Sequence, residues 1–195
     1  MGGRNDKTGT QELTLHLSIL GGIVLVLWGV YLANLLLFSR QLINLGIMPR
    51  SAVGLRGIVF APLLHDSPSH LIANTVPLIT LGWLTLLRGL REFWLTTALV
   101  MLTAGLGTWL LGAPTSVHIG ASGVIFGYFG FLLLRGYFER SVGAISLSLL
   151  VGLLYGGLIG GVLPGSSGVS WESHLFGFLG GAIAARLLAR PRHLS

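Results

Sequence analysis

The sequence predicts an all-α integral membrane protein, a bundle of six transmembrane helices with a long interfacial first loop. Three observations carry that reading. Hydrophobic residues make up 52% of the 195 positions and charged ones only 9%, against roughly a quarter charged in a water-soluble domain. Apolar runs recur that are long enough for a hydrocarbon layer about 30 Å thick. Arg, Pro and Gly interrupt those runs at intervals that mark their ends.

The first twelve residues are polar and read as an N-terminal tail. Residues 13–38 are apolar; at 26 residues the run exceeds a signal-peptide core and no cleavage pattern follows, so it reads as a retained span. Residues 39–69 contain Pro49, Pro62 and Pro68. They are too polar to cross a bilayer and too apolar for plain linker, which fits an interfacial or partly re-entrant loop. The second span covers 70–87 and ends at Arg88. The third covers 93–111 and ends at Gly112 and Pro114. The fourth covers 121–134 before Arg135, the fifth 142–163 before Pro164, and the sixth 174–185 before Arg186. One membrane domain over 13–190 results, with a short C-terminal tail at 191–195.

Charge sets the orientation. With the N-terminus cytoplasmic, Arg4, Lys7, Arg88, Arg91, Arg135, Arg140, Arg186, Arg190 and Arg192 fall inside, and only Arg40, Arg50 and Arg56 outside. Both termini are then cytoplasmic, and the expected setting is a prokaryotic plasma (inner) membrane. The net charge of +6 is spread over loops, which speaks to topology and to a lipid bilayer as partner rather than to nucleic acid. The chain has no Cys, which excludes disulfides, thiolate metal sites and a cysteine nucleophile.

Polar residues within spans are costly and mark functional candidates. The second span carries His70 and Asn74, the fourth opens Gly120-Ala121-Ser122-Gly123, and the sixth opens at His174 with Gly177 and Gly181 following. Measured from Arg88, Arg135 and Arg186 at about 1.5 Å per residue, Asn74, Ser122 and His174 lie about 21, 20 and 18 Å from the cytoplasmic edge. They share one depth, roughly 10 Å below the outer surface. Serine needs a base to become a nucleophile, and histidine is the usual one. No acidic residue follows His174 in its span, so Ser122 and His174 would act as a dyad. The start of a helix at Ser122 offers free N–H groups to a developing oxyanion. Asn74 and His70 add donors or supporting bonds. Gly120 and Gly123 let a backbone approach, and Gly177 and Gly181 give the sixth helix a small-residue face toward the fourth.

The HLIAN, GASG and HLFGFLGG segments, in that order on spans two, four and six, resemble the rhomboid family of intramembrane serine proteases in its minimal six-helix form. The resemblance covers about the whole chain from Leu13. It implies Ser122 as nucleophile, His174 as general base, and Asn74, His70 and the backbone near Ser122 as oxyanion site. Transmembrane protein substrates, a first loop in the outer leaflet, and a mobile fifth helix are implied with them; Gly156, Gly157, Gly160 and Gly161, then Gly165 to Gly168, suit that mobility. Many bacterial members stack a Tyr on the catalytic histidine; here that position is Phe126, which keeps the ring and loses the hydroxyl. A Trp-Arg pair common in the family's first loop is absent.

Plainer roles stand beside these. Ser122 also suits packing, His174 a helix cap beside Glu172, and Asn74 an interhelical hydrogen bond. His65 and Asp66, near His70, resemble metal-ligand spacing but lack a further ligand and read as solvated loop, while His118, just before the Gly120 motif and within reach of the site, reads as loop. No His-Glu-x-x-His motif exists, and the Asp residues, Asp6 and Asp66, lie outside the spans; neither metal nor cofactor is expected. The competing functions are a rhomboid-like binder of transmembrane helices that does not cut, and a small transporter.

Overall fold

The computed structural model describes residues 5–165 and 169–189, with side chains from residue 9. The C-terminal tail expected at 191–195 and positions 166–168 of the glycine-containing loop lie outside the described residues. Among them the chain is helical, without strands: α1 (Asn5–Leu36), a single turn α2 (Gly57–Phe60), α3 (Pro68–Leu86), α4 (Leu90–Leu111), α5 (Ser122–Glu139), α6 (Val142–Tyr155) and α7 (Trp171–Leu188). Each segment expected to be apolar helix is helical, and α1 takes in part of the polar N-terminal stretch. Gly9–Leu36, Leu90–Leu111 and Val142–Val162 are each long and apolar enough to cross a bilayer. The helices α3, α5 and α7 are shorter, at 19, 18 and 18 residues, and carry the polar side chains.

Local chemistry explains the boundaries. Ser67 caps α3, its hydroxyl accepting the His70 N–H at 3.2 Å, and Pro68 follows in the first turn, where a missing N–H costs nothing. Gly89, at φ 117°, turns the chain from α3 into α4 in a conformation open to glycine. Ser141 caps α6 by accepting from Ala144 N at 3.3 Å. Tyr155 ends the α-helical part of α6, and a tighter 3₁₀ turn runs on from Gly156 to Val162.

The centre of the bundle is α5. Val124 to Leu132 are all buried, which is what a helix apolar on every face requires. Its closest partner is α7, and the contact is bare backbone. A methyl group at Gly177 would overlap Gly123 O, and one at Gly181 would overlap Gly127 O. Across α7, Gly107 of α4 receives the Phe176 ring and Gly180 receives Thr103. Small residues at i and i+4 let the two axes approach in this way. The first loop is folded against this core: Ile47 and His118 exchange backbone hydrogen bonds at 2.9 Å, and Gly120 N donates to Ala61 O at 2.8 Å. It is built of short turns over 41–45, 53–56 and 61–63 around α2.

At the opposite end of α5, Arg135 does not mark an exposed edge. It is 1% exposed and pairs with Glu92 at 3.0 Å and Glu139 at 2.7 Å; Arg88 closes the set on Glu139 at 2.7 Å. Two acids and two bases from α3 to α5 compensate one another in a buried place. Removing one partner strands the others, at a cost of about 3–5 kcal/mol. We expect Arg135→Ala to lower the thermal unfolding midpoint in detergent markedly; a midpoint equal to the parent's would contradict this role.

Candidate active site

The start of α3 sets three polar side chains on one face, spaced by four. Asp66 Oδ1 accepts from His70 Nδ1 at 2.8 Å, and Asn74 Nδ2 donates to His70 O at 3.0 Å, leaving the second amide hydrogen of Asn74 unused by that bond. Asn74 is 5% exposed. Burial alone would push the Asp66 carboxyl up, but the bonds from His70 and Ser67 outweigh it and hold it below its usual value.

Gly120 faces this group. Its φ of 112° lies in the region other residues avoid, and an added Cβ would stand 2.7 Å from His70 Nε2 and 3.7 Å from Asn74 Nδ2. A side chain here would fill the space between the two. Two residues on, Ser122 begins α5, half-buried. In this first turn Val124 N and Ile125 N donate to Ala121 O at 3.0 and 3.1 Å, which leaves the N–H groups of Ser122 and Gly123 without a carbonyl partner among the described residues.

His174, 9% exposed, lies on α7. Its ring stacks flat on Phe126, with centroids 4.0 Å apart and planes 6° from parallel. Phe126 is one helical turn after Ser122, so both occupy the same face of α5, the face that meets the start of α7. His174 Nδ1 donates to Gly161 O at 2.9 Å, since a carbonyl can only accept. Among the described residues the Ser122 hydroxyl makes no hydrogen bond. The pairs Gly123–Gly177 and Gly127–Gly181 hold the two helices together beside the ring.

The loop histidines are less solvated than the sequence suggests. His65 is 1% exposed; its Nε2 faces Ala121 N at 3.5 Å and its ring meets His70 edge-on at 5.0 Å. Burial, then the neighbouring His70, push its pKa down to about 4, against smaller opposing effects of Leu63 and Asp66. His118 joins Ser116 Oγ and Ser170 Oγ, each at 2.6 Å, and so ties the loop before α5 to the residue before α7. Burial lowers its pKa too, with Glu172 opposing. Sequence spacing gave no sign of these roles, because Ala121 is 56 residues from His65 and Ser170 is 52 from His118. Among the described residues no three of His, Asp, Glu or Cys are grouped to hold a metal ion.

These two shifts fix a pH dependence. A histidine held neutral in the fold contributes stability that is complete above its unfolded value near 6.5 and is lost as the pH falls toward the folded value. For His65 the difference is worth about 3 kcal/mol between pH 6.5 and 4. Thermal unfolding in detergent should therefore show a falling midpoint across that window, with a smaller fall in His65→Asn. A flat profile would contradict the burial of a neutral ring.

Comparison with known proteins gives the family. The Rhomboid domain model matches residues 52–191. An uncharacterized protein of Mycobacterium tuberculosis is 43% identical over 203 aligned positions, covering 97% of this chain and 84% of the relative. An uncharacterized protein of Mycobacterium leprae is 41% identical, covering 89% of this chain and 73% of the relative. A Bacillus subtilis protein with the name "Putative rhomboid protease YdcA" is 28% identical over 67% of this chain and 65% of its own length. With a family model over most of its length and an all-helical fold with bilayer-length apolar helices, the chain is an integral membrane protein of the rhomboid family.

Proposed function

We propose that this protein is an intramembrane serine endopeptidase that hydrolyses peptide bonds in or near the transmembrane segments of other membrane proteins. The observation that carries the reading is the flat stack of His174 on Phe126, one turn from Ser122. It supports an imidazole held beside the serine, with Nδ1 engaged by Gly161 O and Nε2 left to take a proton. The missing hydrogen bond at Ser122 does not weigh against this, because such bonds often tighten only once substrate is bound.

In the proposed reaction the Ser122 oxygen attacks the scissile carbonyl and its proton passes to His174 Nε2. The tetrahedral oxyanion is held by the N–H groups of Ser122 and Gly123 and by the second hydrogen of Asn74 Nδ2. His70 donates from Nε2 when it carries both ring protons, since Nδ1–H is given to Asp66. The C–N bond then breaks, and the leaving amine takes the proton from His174. Water, activated in turn by His174 Nε2, hydrolyses the acyl-serine. A formed helix hides its carbonyls, so Gly or Pro near the cut favours cleavage by easing local unwinding. In this reading all six long helices cross a prokaryotic plasma membrane, both termini are cytoplasmic, and the site opens outward. The first loop lies at the outer face.

A fluorophosphonate probe tests the reading against a helix binder that does not cut. Covalent labelling of the wild-type chain, lost in Ser122→Ala and in His174→Ala, is the expected result. An unlabelled but folded wild-type protein, or cleavage of a model transmembrane substrate retained by either variant, would overturn it. Asn74→Ala should lower kcat by about 10²-fold with KM little changed, because its donor acts on the transition state. A loss confined to KM would return Asn74 to a packing role.

A further inference from the structure

We propose that the main-chain carbonyl of Gly161 is the positioning group of the catalytic base, and that it makes the orientation of His174 depend on how residues 153–162 are seated. The inference rests on the protease reading above and names the group that completes its site.

Two contacts hold the imidazole, and they do different things. The Phe126 stack fixes the plane of the ring. It is indifferent to a half-turn about Cβ–Cγ, which swaps Nδ1 with Cδ2 and Nε2 with Cε1 and leaves the ring plane intact, and to which nitrogen carries the proton. Gly161 O removes that freedom. A carbonyl accepts and never donates, so its 2.9 Å contact places the proton on Nδ1 and leaves the lone pair on Nε2. This is the task that a buried carboxylate performs in a three-residue serine protease site. Glu172 is close in sequence and makes no hydrogen bond to the ring among the described residues.

The residue at 161 must be glycine for this geometry. An added Cβ would stand 2.8 Å from Phe126 Cζ and 3.3 Å from His174 Nδ1. One position earlier the constraint vanishes, since a Cβ at Gly160 meets nothing within 4 Å.

The acceptor sits on a segment with few polar ties, whose Tyr155 and Leu158 pack on the core without being fully buried. The first half of α6 is anchored on α5: Ser148 Oγ donates to Leu132 O at 2.8 Å and accepts from Gly136 N at 2.9 Å, and Ala144 and Val151 are buried. Beyond Val151 no residue up to Leu163 is buried. That stretch is tied across to α3 by the hydroxyl pair of Tyr155 and Thr80, and to α7 by Gly161 O on His174. Displacing it takes the acceptor away from the base and frees the ring to flip. Reseating it over a bound segment restores the reactive orientation.

The test is ¹⁵N NMR of histidine-labelled full-length protein in lipid nanodiscs, with His174 assigned by the signal missing from His174→Asn, alongside fluorophosphonate labelling rates. We expect a neutral His174 protonated at Nδ1 in the wild-type chain. Gly161→Ala should mix the two ring forms and slow labelling at least about tenfold; Gly160→Ala should change neither. Protonation at Nε2 in the wild type overturns the proposal, as does a Gly161→Ala variant with the wild-type ring form and rate. If Gly161→Ala is not recovered folded, the wild-type ring form alone decides. A wild-type chain that is not labelled at all overturns the protease reading, and is distinguishable from a labelled chain with the wrong ring form.

Discussion

Everything about the site depends on the close approach of α5 and α7. Two glycines on α7, four residues apart, lie directly on two carbonyls of α5. In a bilayer no hydrophobic gain drives helices together, so contact must come from fit, and backbone-to-backbone contact is the tightest fit available. It sets the register between the helices. Register in turn fixes which ring of α5 meets the imidazole of α7, and hence what lies one turn away from it.

A second constraint shapes the remainder. Polar groups buried in such a bundle need partners, and two compact sets of them stand at the two ends of α5. At one end the carboxylates of Glu92 and Glu139 balance Arg88 and Arg135. At the other, Asp66 serves His70, Gly161 serves His174, and His118 bridges Ser116 and Ser170. In the proposed mechanism the carboxylate stands behind His70 rather than behind the base. This division suits two imidazoles with opposite tasks, one taking a proton and one giving a hydrogen bond.

Much of this was legible in the sequence, for reasons that are local. Apolar runs broken by Arg, Pro and Gly located the helices. The spacing of Gly177 and Gly181 marked a face for close packing; the common depth read for Asn74, Ser122 and His174 rests in part on Arg135, which is buried and marks no exposed edge, and stays with the proposed function. The resemblance supplied the ring at Phe126. What stayed hidden depends on pairs far apart in the chain. Arg135 looked like an edge marker because nothing near it reveals Glu92, 43 residues earlier. His65 looked like exposed loop because its burial comes from the folding of the first loop over the start of α5. Gly161 was one glycine among many; its carbonyl matters only because α6 brings it to His174. The span count and the orientation belong to the bilayer and are part of the proposed function.

The most direct measurement is a crystal structure of the protein in lipid with Ser122 carrying a phosphonate. The account predicts a phosphonyl oxygen held by Asn74 and the first turn of α5, with His174 Nε2 within about 3 Å of the serine oxygen. A histidine too remote for one bridging water, or a serine turned toward the acyl chains, would contradict it.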